Sequence, residues 1–248
     1  MPERQAALGL AGVRGCELDS AVCCLPKRVG QSQQGCIGAF QQFQFELQQD
    51  VFQRRARHMN AALIECDFDA RARVWREARD LVYNIINCPK PIVSAMQGAV
   101  AGGGLSIGLL ADISIATKSA KLVDAHTRLG VCAGDHAVML WPLLCGLARA
   151  KHLLLLCEPI SGEKAADIGL VSMCVDDDEL DSTALRIATQ LAKGAPLAIQ
   201  TTKYALNNWL RMAGPAFDAS TALQFFSFGG PEPKEGLTAH QQKRPPSF

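Results

Sequence analysis

Three consecutive glycines, Gly102, Gly103 and Gly104, stand between two apolar runs, Ile92 to Met96 and Leu105 to Leu110. Glycine lets the backbone take positive φ and lets a ligand approach the chain closely. A helix that opens there leaves its first amides unpaired at the positive end of its dipole. That combination stabilises an anion, or an oxyanion that develops during a reaction. The same glycines also suit a tight strand–helix connection made for packing alone, and residue types by themselves leave both readings open. The next residues add a third. Gly104-Leu105-Ser106-Ile107-Gly108 has G-x-S-x-G spacing, in which a strained turn presents a serine hydroxyl. Its partners in chain order would be Asp124 or Asp135, then His136, His152 or His240. Such a turn needs a strand running directly into the glycine before the serine. Here Ala101 to Gly104 reads as loop, and Ser106 reads as helix.

The elements that must position these groups follow from periodicity. Val74, Ala78, Leu81, Val82, Ile85 and Ile86 recur at helical spacing, and Asp67 or Asp69 can cap the start. Pro89 and Pro91 end that helix, since proline lacks an N–H. Ile92 to Met96 reads as a buried strand, Gln97 to Gly104 as a glycine-rich turn, and Leu105 to Leu110 as a helix. Ile113, Ile115 and Thr117 mark another strand. Ala148 to Cys157 is helical. Ser161 caps a short helix through Ile168, which stops at Gly169. Leu170 to Val175 reads as a strand, and Asp176, Asp177 and Asp178 as a solvated turn rather than a metal site. Glu179 to Lys193, Pro196 to Met212 and Pro215 to Phe226 read as helices. Strands alternating with helices, then a helical tail, predict an α/β fold with a C-terminal helical subdomain.

The chain changes character near Met59. Before it, glutamines crowd residues 31–49 and Arg54, Arg55 and Arg57 follow. Phe43, Phe45, Leu47, Val51 and Phe52 could form one amphipathic helix, but no strand–turn–helix unit is visible. Three parts result: a weakly structured segment over 1–58, an α/β core over 59–192 and a helical region over 193–248. With 248 residues, 48% hydrophobic and 20% charged, the composition is that of a globular protein. A net charge of +1 gives no reason to expect nucleic acid or an anionic membrane as partner. No apolar run is long enough to cross a bilayer and the first residues lack a secretory apolar region, so a cytoplasmic protein is expected. None of the 10 cysteines forms a C-x-x-C, and no histidine sits at zinc-site spacing from them. Neither a metal nor a disulfide framework is expected.

The block from Pro89 to Thr117, with its strand, triple glycine, helix and acidic strand start Ala111-Asp112-Ile113, resembles the crotonase (enoyl-CoA hydratase/isomerase) superfamily. The agreement continues in order through HTRLGVCAGDHA at 126–137, LLCGLARAKHLLL at 143–155, ISGEKAADIGLV at 160–171 and EGLTAHQQKRPPSF at 235–248. It runs from about Met59 to the C-terminus, about three-quarters of the chain. The resemblance implies a crotonase-like spiral of ββα units whose C-terminal helices build a homotrimer or hexamer. It implies an acyl-CoA thioester as substrate, with no cofactor beyond the CoA that the substrate carries. Gly103 would then supply one N–H of an oxyanion hole, worth roughly 3–4 kcal/mol of barrier. Gly102, Gly104 and Ser106 would line the same substrate site. The second donor would come from an upstream A-G-G-D-like loop, yet residues 45–59 contain no glycine.

The two hydratase glutamates fall at Ser106 and His126. Serine is neither acid nor base near neutral pH, so the resemblance implies isomerase-like or other proton chemistry instead of two-glutamate hydration. His126 could serve as a single acid/base. Asp135 lies close to where other family members place a catalytic carboxylate, although helix capping also explains it. Lys243 or Arg244 would lie near the CoA phosphates, while a solvated basic tail explains them as well. His240 stands where a phenylalanine is usual. Two other readings remain: an acyl-CoA-binding or oligomer-forming member without turnover, and a serine hydrolase built on Ser106. The first draws on apolar residues of the C-terminal helices, Tyr204, Leu206, Trp209, Leu210, Phe217, Leu223, Phe225 and Phe226.

Overall fold

The computed structural model describes residues 22–24, 63–65 and 67–248. The expected amphipathic helix around Phe43 to Phe52 and the glycine-free stretch 45–59 lie outside the described residues. Within them, strands and helices alternate. Strand β1 (Val22–Cys24) comes first, and residues 63–65 are helical. Then follow α1 (Phe68–Asn87), β2 (Ile92–Met96), β3 (Ala99–Ala101), α2 (Gly103–Leu110), β4 (Ile113–Thr117) and β5 (Lys121–Val123). A 3-10 turn (Thr127–Leu129) leads to α3 (Ala137–Cys145) and α4 (Leu147–Leu156). After β6 (Ile160–Ser161), α5 (Gly162–Asp167) and β7 (Met173–Val175) come α6 (Leu180–Lys193), α7 (Pro196–Leu206), α8 (Asn208–Met212), α9 (Gly214–Ser227) and α10 (Glu232–Gln241).

The strands form two sheets. One is wholly parallel in the order β1-β2-β4-β7; the other is β3-β5-β6, with β3–β5 parallel and β5–β6 antiparallel. Each successive pair, β2 with β3 and then β4 with β5, adds one strand to each sheet before the chain turns helical. This is the spiral of ββα units that the resemblance implied.

The five residues of β2 are all buried, as a continuous apolar run in a parallel sheet should be. Alternation sends them to opposite faces. Val93 and Ala95, with Ile115 of β4, pack on Leu180, Ala184 and Ile187 of α6. Met96 and Ala116 face the larger core with Leu105, Leu109, Trp141 and Phe217. Ser94 sits on that face too, and its hydroxyl donates to the Gly108 carbonyl at 2.7 Å. A Cβ on Gly108 would lie 2.4 Å from Met96 Sδ, so glycine lets α2 approach β2. Asp112 ties the start of β2 to the start of β4 by accepting Ile92 N and Lys203 Nζ, each at 2.7 Å. Lys203 also donates to the Lys90 carbonyl at 2.7 Å, tying α7 to the start of β2.

Several boundaries differ from the sequence reading. Asp67 is the N-cap of α1, accepting Ala70 N at 2.7 Å. The Gln97 to Gly104 segment contains β3, and α2 starts at Gly103, two residues early. Leu170 and Val171 do not extend β7. Their amides donate to the Ala165 carbonyl at 2.8 and 3.3 Å, closing the end of α5 around Gly169. The Pro196 to Met212 helix divides at Asn207, whose side-chain amide donates to the Ile86 carbonyl at 2.8 Å. Val22–Cys24 forms a strand where none was expected, because three residues give no periodicity to detect.

Candidate functional site

The glycine turn joins β3 to α2. Gly102 has φ 55° and ψ −139°, a conformation that L side chains rarely adopt. Among the described residues, no atom lies within 4 Å of where its Cβ would be, so its glycine answers to backbone conformation and not to crowding. The first bond of α2 runs from Ser106 N to the Gly102 carbonyl at 3.0 Å. The amides of Gly103, Gly104 and Leu105 therefore precede the helical ladder, at the positive end of its dipole. Leu105 is buried, while Gly102, Gly103 and Gly104 are half-buried.

Ser106, one turn into α2, connects this backbone feature to a polar cluster. Its hydroxyl lies 2.8 Å from Asp135 Oδ2, 2.9 Å from His136 Nδ1 and 3.2 Å from the Gly102 carbonyl. His136 Nδ1 also lies 2.6 Å from Asp135 Oδ1. The Trp141 indole N–H, which can only donate, points at His136 Nε2 at 3.4 Å. Nε2 therefore accepts and the ring proton sits on Nδ1, donating to Asp135. Both Asp135 oxygens are thus held, one by His136 and one by Ser106. Beyond them, His126 Nε2 stands 3.8 Å from Asp135 Oδ2, and His126 Nδ1 lies 2.9 Å from Asp124 Oδ1.

The chain positions these side chains from several directions. Asp124 follows β5 directly, and His126 precedes the 3-10 turn, which Gly130 ends in the left-handed region. Thr127 Oγ1 donates to the Leu154 carbonyl at 3.1 Å and Arg128 Nη2 to the Cys157 carbonyl at 3.1 Å, anchoring the turn to α4. The loop before Asp135 is held by α9: Thr221 and Ser220 donate to the Gly134 carbonyl at 2.7 and 3.2 Å. A Cβ on Gly134 would lie 2.3 Å from the Ser220 carbonyl oxygen, so only glycine fits.

Charge in the cluster is polarised. Burial pushes the His126 pKa down, but the Asp124 and Asp135 carboxylates outweigh it and raise the imidazolium to about 10. Burial likewise opposes ionisation of Asp135. The His136 and His126 rings and the Ser106 hydrogen bond prevail and hold that carboxyl well below its ordinary value. Near neutral pH the pair is a carboxylate facing an imidazolium. Asp124, His126 and Asp135 also bring ligand atoms within 4.8 Å of one another, a spacing compatible with a metal ion. The proton on His126 already offsets part of the charge of the two carboxylates, and a metal would have to displace it, so the arrangement favours acid–base chemistry.

The structure brings Ser106, His126 and Asp135 together beside the helix that Gly102, Gly103 and Gly104 open. Lys243 lies elsewhere, exposed after α10 with φ 55°. Arg244 is committed to Glu235, with Nη2 2.9 Å from Oε2. Asp135 does not cap α3, whose first turn has no side-chain cap; its oxygens go to Ser106 and His136. The nucleophile reading meets a geometric obstacle. Ser106 is 5% exposed within a helix, and both it and Asp135 face the same nitrogen of His136. A relay needs serine and acid on opposite ring nitrogens, with a lone pair toward the serine. The sequence reading missed the pairing of Asp124 with His126 and the role of Trp141. The first had a weak signal in the D-x-H spacing after a strand; the second had none.

Comparisons with known proteins identify the family. The model of the enoyl-CoA hydratase/isomerase family matches residues 61–248. The chain belongs to the enoyl-CoA hydratase/isomerase family. Family relatives include a probable enoyl-CoA hydratase of Rhodobacter capsulatus, 34% identical over 69% of this chain and 67% of its own length. The 1,2-epoxyphenylacetyl-CoA isomerase of Escherichia coli is 33% identical over 73% of this chain and 69% of its own. The mitochondrial methylglutaconyl-CoA hydratase of Rattus norvegicus is 30% identical over 68% of this chain; the match spans 56% of that relative's length. Among solved structures, an enoyl-CoA hydratase/isomerase from Mycobacterium paratuberculosis superposes with a TM-score of 0.68, at 30% identity over 72% of both chains. The enoyl-CoA hydratase/isomerase fold is thus shared along the ββα spiral and its C-terminal helices. Among the described residues, no helix is long and apolar enough to cross a membrane.

Proposed function

We propose that this chain binds an acyl-CoA thioester and moves a proton at its α or γ carbon. The thioester carbonyl would lie against the amides that open α2, with Gly103 N–H as the first donor and Gly102 and Gly104 shaping the approach. The single observation that carries this reading is the His126–Asp135 pair, with Nε2 and Oδ2 3.8 Å apart, tied through Ser106 to the helix the glycines open. An acid and a base so placed can take a proton from one carbon and return it to another. Neither hydratase glutamate is present, so isomerisation fits this site better than hydration. CoA enters as part of the substrate and no separate cofactor is required. Lys243, unlike Arg244, has no acidic partner among the described residues and would meet the CoA phosphates.

Exposed apolar residues on the C-terminal helices, among them Leu197, Trp209, Met212 and Phe226, support assembly into a homotrimer or hexamer. The test is turnover of enoyl-CoA thioesters by the full chain, followed by His126→Ala and Asp135→Ala. Each variant is expected to lose on the order of 10²–10⁴ in rate and to keep thioester binding by calorimetry. Variants as active as the wild type would refute the assignment. A second reading, binding without turnover, is favoured by Ser106 and His126 standing in place of the glutamates; calorimetric binding with no product would select it.

A further inference from the structure

We infer that Asp124 is the positioning residue that makes Nε2 of His126 the proton-handling atom of this site, with Asp135 serving as its ionised partner. The inference deepens the proton-transfer reading and rests on it. Asp124 is 2% exposed at the end of β5, and its Oδ1 accepts from His126 twice, from Nδ1 at 2.9 Å and from the backbone N at 3.2 Å. Contacts to backbone and ring together fix the rotation of the imidazole. They leave Nε2 as the nitrogen that faces Asp135 Oδ2. A carboxylate buried behind a histidine holds its tautomer and stabilises its cation, the role of the orienting acid in a hydrolytic triad. The other oxygen, Asp124 Oδ2, has no hydrogen-bond partner among the described residues. An unsatisfied buried carboxylate oxygen costs free energy, and the nearest compensation is a positive charge on the ring that Oδ1 already holds.

Asp135 is poorly placed to carry the mobile proton itself. His136 Nδ1–H and the Ser106 hydroxyl already donate to its two oxygens, so protonating it weakens both of these bonds to the charged form. The groups bearing on His126 are Asp124 from the end of β5, Asp135 from the loop before α3, and the Cys157 thiol at the end of α4. Both carboxylates favour the cation. The reaction therefore runs through the ring after it has lost its Nε2 proton: the bare Nε2 takes the proton from one carbon and returns it to the other, while Asp135 stays ionised.

Nitrogen-15 NMR of the histidine rings tests this without any substrate. In the wild type at pH 7.5, both His126 nitrogens are expected to be protonated, with Nδ1–H protected from exchange. A ring that is neutral at that pH and carries its proton on Nε2 would overturn the inference with no variant needed. In Asp124→Asn the His126 midpoint should fall by at least about one pH unit. The kcat for an enoyl-CoA thioester should fall on the order of 10²-fold or more, with KM nearly unchanged. An unchanged midpoint in a folded Asp124→Asn protein would also overturn it. If the wild type turns over no acyl-CoA thioester, the proposed function fails, while the NMR result still decides the role of Asp124.

Discussion

At the glycine turn the working atoms are main-chain amides, and one residue in the left-handed region sets their direction. Across the site, between Asp124 and His136, the working atoms are side chains, held by α4 and α9 from distant parts of the chain. The first wall is local: β3, three glycines and one turn of α2 suffice to make it. The second wall is assembled from β5, the 3-10 turn and the loop before α3, and neither histidine is placed by its own sequence neighbours alone. Backbone chemistry is therefore sensitive to a single φ or a single N–H. Side-chain chemistry is sensitive to packing far from it.

The sharpest way to break this contrast is Gly103→Pro. Proline is tolerated at the first position of a helix, where its missing N–H belongs to no intrahelical bond. The fold should survive, while the first oxyanion donor is deleted. Turnover is expected to drop about 10²–10³-fold with thioester binding largely kept. Unchanged turnover would show that the Gly103 amide is not a donor. On the opposite wall, the corresponding test is Gly134→Ala. Its Cβ would sit 2.3 Å from the Ser220 carbonyl oxygen, so α9 or the Asp135 loop must shift. A loss of roughly 1–3 kcal/mol is expected in denaturant titrations, together with reduced activity. Full stability would mean the loop is not pinned by α9.

The difference between the walls also explains what the sequence revealed. The glycine triplet, the buried run Ile92 to Met96, the Ser161 cap and the Gly169 stop are signals confined to a few neighbouring residues. Each was readable because local conformation required those residue types. His126 was reached only through the family resemblance, and Asp135 through it and the G-x-S-x-G pattern, because spacing alone does not show that these two side chains converge. Trp141 gave no sign at all: an apolar residue inside a helix looks like core until its N–H is found on His136. The same limit hid β1, whose pairing with β2 joins residues about seventy positions apart. Lys243 marks the reverse case, a residue chosen by resemblance that the structure sets among exposed tail residues.

The pH dependence of stability separates the walls as well, because only the second contains titrating groups. His126 is raised from 6.5 to about 10, and a group held above its unfolded value stabilises fully below the unfolded pKa. That contribution is lost as pH rises through about 10. Asp135 is lowered from 3.8, so its contribution is present above that value and lost on further acidification. Thermal melts should therefore show highest stability between roughly pH 4 and 6.5, with a slow decline toward pH 10. His126→Gln should flatten the alkaline limb and shrink the acid limb to the part that His136 and Ser106 supply. An alkaline limb unchanged by that substitution would mean another group carries it.

The smallest expected effect falls on the residue that joins the two walls. Ser106 belongs to the local wall by position in α2 and to the assembled wall by its hydrogen bond to Asp135. Ser106→Ala removes one of the two donors to that carboxylate, leaves the His136 bond intact and deletes no backbone amide. A hydrogen bond to a charged group is worth roughly 1.5–3 kcal/mol, and water entering beside a carboxylate that is 23% exposed should recover part of it. A loss of about tenfold in turnover, with fold and thioester binding retained, is the outcome that fits a tether. Complete loss would contradict the tether. Reaction of the wild type with a fluorophosphonate probe, absent from the variant, would then return the serine to the role of nucleophile. The two outcomes differ because a tether adjusts an acid–base pair that still functions without it, whereas a nucleophile cannot be replaced by a methyl group.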